Sequence, residues 1–469
     1  MDNQDNLQQS IDQITQSNTN TIETPAQNPF TPNATTDAPA QEPPKPNRLR
    51  PTTAGAIGAI AGLAVGAAAI FGIMKLTEAA PNCPECNCPS NTNTHASTND
   101  VSYSFLQLEA DSKNLIYSPL SIRNGLALLS AGASGTTKTE IDAVLGDATI
   151  PQYQNIADKL SLANGVFIRD TFQSKVLPSY TATVQQDYDG EVLYDSFTSS
   201  TNMDNWVSQK TFGLIDSIGI DPNPDLRMVL ANALAIQMDW KYRFDEDDTG
   251  GRTFYQQDGS EITATTMTKK TSADGIKYYT DSEVSAISMP LDSTSEDANL
   301  EFVAIMPAND LGEYINQVNQ SKVDTIINNL TPASTPKDGV IVHIPKFKFD
   351  YQLKFKDDLM SLGVKSAFDQ NLADFSNMAS DPLYVSSAIH KANIDFSEDG
   401  IKAAAITVFA MDIAAAIPGE EPEPIIIDIN HPFLFLIRDA DNGTIWFSGT
   451  VYEPNLWSND SALYEPQRY

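Results

Sequence analysis

Thiols are nearly absent from this chain: its 469 residues include three cysteines, Cys83, Cys86 and Cys88, all within CPECNCP. Everything from Asn91 onward is thiol-free, so no disulfide framework holds the bulk of the protein. The three thiols resemble a fragment of a metal site, but a closed zinc site needs four ligands and the next candidate, His95, lies in a polar tract. The expectation is no metal, and an odd number of thiols suits an intermolecular bridge. Positive charge is scarce too. With 29 Lys plus Arg against 61 Asp plus Glu the net charge is -32, which repels phosphate backbones and argues against a nucleic-acid partner. Histidine is rarer still, limited to His95, His343, His390 and His431. No Gly-x-Ser-x-Gly elbow, His-Glu-x-x-His helix or GxxxxGK[ST] loop is present. The expectation is a protein that is not an enzyme and uses no cofactor.

Residues 1–50 are rich in Asn, Gln, Thr and Pro and lack apolar periodicity, which predicts a disordered polar tail. Residues 52–74, TTAGAIGAIAGLAVGAAAIFGIM, then contain no charge. As a helix they would extend about 34 Å, enough to cross the hydrocarbon layer. The expectation is one transmembrane helix within residues 51–76. Lys45, Arg48 and Arg50 precede it and only Lys75 follows closely, which places the N-terminus in the cytoplasm and the rest on the extracellular side. A cleaved signal peptide is the competing reading, disfavoured because such a long polar stretch precedes the apolar run. Gly58, Gly62 and Gly66 would line one helix face. Together with bridging through Cys83, Cys86 and Cys88 in a linker at residues 77–99, they allow a homodimer.

From residue 100 to 469 the texture is that of a mixed fold. SPLSIRNGLALLS, residues 118–130, reads as a helix capped by Ser118 with Pro119 in its first turn. VLANALAIQM, LEFVAIMPA, GVIVHIPKFKF, HPFLFLI and GTIWFSGTVY read as strands, several apolar on both faces as in a covered sheet. TNMDNWVSQKTFGLIDSI and YQLKFKDDLMSLG read as helices between them. The fold class is α+β with large sheets.

One strand-like stretch has no evident partner. In SEDGIKAAAITVFAMDIAAAIPGEEPEP, residues 397–424, an alternating, charge-poor half runs directly into an acidic, proline-broken half. Ile401, Ala403, Ala405, Thr407, Phe409 and Met411 would share one face. With NLIYSPLSIRNGLALLSAGASGTTKTEI, LANALAIQMDW, HKANIDFSEDGIKAAAIT and HPFLFLIRDADNGTIWFSGTVYEP, it resembles the signature segments of serpins from about residue 101 to 454. The resemblance implies the serpin fold: a large central, mainly antiparallel sheet with further sheets and surrounding helices. It also implies a suicide-substrate inhibitor of serine proteases, whose bait loop is cut and inserts into the central sheet while the acyl-enzyme is still attached.

By that resemblance Glu398, Asp399 and Gly400 form the hinge, followed by Ile401 and the small residues Ala403, Ala404 and Ala405 that would slide between strands. The reactive bond falls between Ala414 and Ala415, within a window from Met411 to Ala416. Residues 401–414 would span about 46 Å as a strand. Ser118, Ser121, Asn232 and His390 correspond to a polar cluster beneath the point of sheet opening, and Trp240 to an aromatic residue where the loop first enters. His390 is expected to be buried and hydrogen-bonded. Lys402 is the only basic residue from Gly400 to Asn430, so elastase-like or subtilisin-like serine proteases are the expected partners. The sequence departs from the family at Ile401, where Thr or Ser is usual, at Gln237 and Met238, and in a long distal loop carrying Pro418, Pro422 and Pro424. The alternative is a non-inhibitory serpin serving in binding, storage or surface interaction.

Overall fold

The computed structural model describes residues 63–75, 101–109, 111–146, 150–292, 298–336, 339–400 and 424–458. Its central sheet has six strands: β1 (Leu63–Lys75), β2 (Leu160–Arg169), β3 (Gly190–Asp195), β4 (Leu226–Met238), β5 (Phe347–Leu353) and β6 (Leu383–Phe396). They lie in the order β5-β6-β1-β4-β2-β3. Every pairing is antiparallel except β2 with β3. A seven-stranded sheet includes Leu300–Pro307, Phe433–Asp439 and Ile445–Val451, and a four-stranded sheet joins Ile425–Asp428, Val340–Pro345, Glu261–Thr271 and Gly250–Tyr255.

The central strands are apolar on both faces because both faces are covered. Helix α1 (Pro119–Gly132) is capped by Ser118, whose side chain accepts from the Ser121 N–H, and Pro119 supplies a first-turn residue with no N–H to leave unpaired. Its Gly125 faces Phe71 of β1 so closely that an added Cβ would stand 2.8 Å from the ring. On the opposite face lies helix α2 (Thr201–Lys210), whose Trp206 packs edge-on to Phe167 with ring centroids 5.6 Å apart. Ala69, Phe71 and Ile73 thus join the core beside α1, while Ala68 and Ile70 join a second core beneath α2.

The transmembrane helix expected at residues 52–74 is not what residues 63–74 form. They belong to β1, the third strand of the central sheet, paired along both edges. A run without charge and apolar on both faces suits a bilayer or the middle of a covered sheet equally, and the sheet satisfies its backbone N–H and C=O groups through two neighbours. No described helix is long and apolar enough to cross a membrane. Residues 52–62, the tail at 1–50, the linker at 77–99 and all three cysteines lie outside the described residues.

Three further expectations need correction. The helix read across residues 201–218 ends at Lys210. Phe212 and Gly213 adopt φ of 55° and 79°, and the Thr211 hydroxyl donates back to the Val207 carbonyl at 2.7 Å, so a left-handed turn stops the helix. GVIVHIPKFKF is two strands in two sheets, Val340–Pro345 and Phe347–Leu353. The helix read in YQLKFKDDLMSLG is confined to Lys356–Ser361, its first residues completing β5.

Candidate functional site

The site is the slot between β4 and β6, together with the hinge that leaves the end of β6. β1 fills the slot and runs antiparallel to both flanking strands. Its first residues lie level with Met238 and Asp395, and Lys75 with Leu383. A chain leaving β6 at Phe396 and folding back beside it would travel the same way, from the Asp395 end toward the Leu383 end.

A row of polar side chains crosses this sheet. Asn164 on β2 lies opposite Asn232 on β4, Asn232 opposite Ala69 on β1, and Ala69 opposite His390 on β6. Residues directly opposite in a sheet share a face, and here that face meets the N-terminus of α1. Ser118 N–H donates to His390 Nε2 at 2.9 Å. Nε2 is therefore the unprotonated nitrogen and Nδ1 carries the hydrogen. Burial pushes the His390 pKa down to about 3, against an opposing pull from the Ala68 backbone, so the ring is neutral at ordinary pH. His390 is buried and hydrogen-bonded, as expected. Asn232 donates to Asn164 Oδ1 at 2.8 Å, while Asn232 Oδ1 and Ser121 Oγ, both buried, have no hydrogen-bond partner.

The structure brings Asn232 and His390 into this row, sets Ser118 against His390 with Ser121 bonded to Ser118, and places Trp240 beside the hinge. The Trp240 indole N–H donates to the Ser397 carbonyl at 2.8 Å, and its ring meets Phe396 and Phe302 edge-on. The Trp240 backbone N–H reaches the Asp399 carbonyl at 3.3 Å and the Phe244 N–H reaches the Glu398 carbonyl at 3.1 Å. Glu398 is buried. Its carboxylate pairs with Lys346 at 2.7 Å and accepts from the Thr249 hydroxyl at 2.8 Å. Asp399 meets Arg243 at 3.8 Å. Gly400 has φ of 75°, and a Cβ there would collide with the backbone of Asp239 and Trp240, so glycine is required on two counts. The chain is thus fastened at Glu398 and turned sharply at Gly400.

Ile401, Ala403, Ala404, Ala405, Ala414 and Ala415 lie outside the described residues, which resume at Pro424 and enter the four-stranded sheet at Ile425. Sequence reasoning missed Lys346 and Thr249 as the holders of Glu398, since nothing local in sequence links them to it. It also missed β1 as the slot's occupant, although a signal was present: Ala67 to Ile70 and Ala403 to Ile406 both read Ala-Ala-Ala-Ile. Among the described residues no group of acidic, His or Cys side chains is placed to hold a metal.

The arrangement defines a protein with a covered central sheet, a strand-sized slot within it and a glycine hinge at the slot's mouth. A family profile described as "Serpin (serine protease inhibitor)" matches residues 96–454, and the chain belongs to the serpin family, whose members are commonly protease inhibitors and not catalysts. A serpin-like protein of Thermococcus kodakarensis is 28% identical over 370 residues, covering 75% of this chain and 83% of its own length. Serpin-Z2B of Triticum aestivum is 28% identical over 389 residues, covering 75% and 92%. The crystal structure of the thermophilic serpin tengpin in its native state superposes with a TM-score of 0.62 at 26% identity, covering 76% of this chain and 93% of that one.

Proposed function

We propose that this serpin is an inhibitor of serine proteases acting as a suicide substrate: the bait loop is cut near Ala414 and inserts between β4 and β6 before the acyl-enzyme is hydrolysed. The observation that carries this reading is the slot itself, which accepts a strand containing Ala-Ala-Ala-Ile in the direction a loop leaving Gly400 would take. The bait carries the same four residues just beyond its hinge. Small residues lower the steric barrier to entry, and a glycine permits the reversal that entry needs.

The apolar, uncharged residues Ile413, Ala414, Ala415 and Ala416 suit shallow apolar pockets, so the proposed targets are elastase-like or subtilisin-like serine proteases. The proposed location is a single-pass membrane protein with a cytoplasmic N-terminus and the serpin domain on the extracellular side, supported by the charge-free residues 52–74 behind Lys45, Arg48 and Arg50. Association of two chains through Gly58, Gly62 and Gly66 and the linker thiols belongs to that state.

A second reading is favoured by one observation, that the slot is already filled. A serpin whose central sheet is permanently complete cannot insert its loop and would serve in binding, storage or surface interaction. The two readings separate in one experiment, in which the full chain, with and without phosphatidylcholine vesicles, is mixed with elastase-like and subtilisin-like proteases and resolved on denaturing gels. Inhibition predicts a covalent product of summed mass, whose cut bond lies between Met411 and Ala416. The second reading predicts cleavage with no covalent product.

A further inference from the structure

β1 poses a problem of supply and demand for its own backbone. Leu63–Lys75 is 13 residues long, and at its described side-chain positions Ala68, Ala69, Ile70, Phe71 and Ile73 are fully buried. Exposing Ile70, Phe71 and Ile73 to water would be unfavourable, because each has its whole apolar side chain buried. Only two environments relieve that cost while also pairing every backbone N–H and C=O. One is a central strand position, where neighbours on both sides do the pairing; the other is a helix in a bilayer, where the segment pairs with itself. This sequence is written for both. Residues 52–74 carry no charge, and the first charge after them, Lys75, ends β1 at a surface ion pair with Asp381 at 2.8 Å.

The two seats exclude each other, because residues 63–74 cannot lie in the sheet and in a membrane at once. We propose that Leu63–Lys75 is a resident plug of the insertion slot which a lipid bilayer withdraws, so that only the membrane-attached serpin has a slot open to its bait loop. The claim rests on the inhibitory reading above for its consequence but not for its structural content. Three observations carry it. The plug occupies the slot with the polarity available to the bait. It repeats the bait's Ala-Ala-Ala-Ile at Ala67 to Ile70. Its presence separates Asn232 from His390, one on each side of Ala69, and leaves Asn232 Oδ1 buried without a hydrogen-bond partner, a cost that a closed sheet could remove.

The test synthesises the full chain with and without phosphatidylcholine vesicles and offers each preparation a synthetic peptide of residues 401–414. Without vesicles, the amides of Ala68 to Lys75 resist hydrogen exchange and the peptide is refused. With vesicles, the chain becomes resistant to carbonate extraction and takes up the peptide at least about tenfold faster, with a rise in melting temperature. Rapid exchange of those amides in water, equal peptide uptake in both preparations, or refusal by vesicle-inserted chain would each overturn the proposal. Ile70→Asp, with a charge suited to neither seat, should open the slot without vesicles; should it not fold, the wild-type comparison decides alone. Peptide uptake in vesicles with no protease ever trapped would leave the plug standing and defeat the inhibitory function instead.

Discussion

At the scale of single residues, the slot is bordered by groups whose protonation and pairing are fixed by burial. His390 is the plainest case, neutral because its pKa is pushed down to about 3 while an exposed histidine titrates near 6.5. A depressed folded value means that the unfolded chain binds the extra proton, so stability present above pH ~6.5 is lost as pH falls toward 3, by about 1.4 kcal/mol per unit at full slope. His390→Asn removes that dependence. Its destabilisation should therefore be greatest near neutral pH and shrink between pH ~6.5 and ~4.5. Urea unfolding at three pH values measures this, and a constant difference would refute the assignment. Glu398 makes a second case. Lys346→Met leaves its buried carboxylate without a counter-charge and should cost about 3 kcal/mol, read as a fall in urea midpoint. Glu398→Gln in the same background should recover part of it.

At the scale of elements, the fit of α1 against β1 can be tested without touching the slot. A Cβ at Gly125 would stand 2.8 Å from Phe71 and 3.4 Å from Ala69, so Gly125→Val overpacks that contact and should cost about 1–3 kcal/mol. The loss should be local: amides of Ala68 to Lys75 should exchange faster in the variant while those of Val340–Pro345, in the four-stranded sheet, hold their protection. Equal acceleration in both places would show that β1 is not a separable part of the fold. The same strand shows where sequence reading stops. The cap at Ser118, the strand at Leu226–Met238 and the hinge at Glu398 were legible because each announces itself within a few residues, by a capping side chain, an apolar run between polar ends, or a motif. For residues 63–74 no local signal separates a bilayer span from a central strand, since both demand an uncharged segment apolar all round. Only the partner strands decide, and β4 and β6 lie more than a hundred residues away in the chain. The break between Val340–Pro345 and Phe347–Leu353 falls at Pro345 and Lys346, and the contact of Lys346 with Glu398 that accompanies the change of sheet spans 52 residues of chain.

At the scale of the whole molecule the controlling quantity is the charge. With 61 acidic side chains against 29 basic ones, most carboxylates lack a basic partner, and the compact state gathers them into one volume. Two effects of added salt oppose each other. Screening weakens attractive pairs, but surface pairs such as Lys75 with Asp381 are worth little, and the buried pairs of Glu398 with Lys346 and of Glu301 with Arg438 are shielded from ions. Screening also relieves repulsion among the excess carboxylates, which acts over the whole surface and is stronger in the folded chain than in the expanded one. Between ~0.01 M and ~0.1 M salt the screening length falls from about 30 Å to about 10 Å, from molecular dimensions to neighbour distances. The repulsive term should therefore win, and the melting temperature of the full chain should rise over that range and flatten beyond it. Calorimetry at fixed pH with sodium chloride as the only variable measures the effect. A melting temperature that stays level or falls would mean that the acidic side chains are already spread as far apart in the folded protein as in the unfolded one.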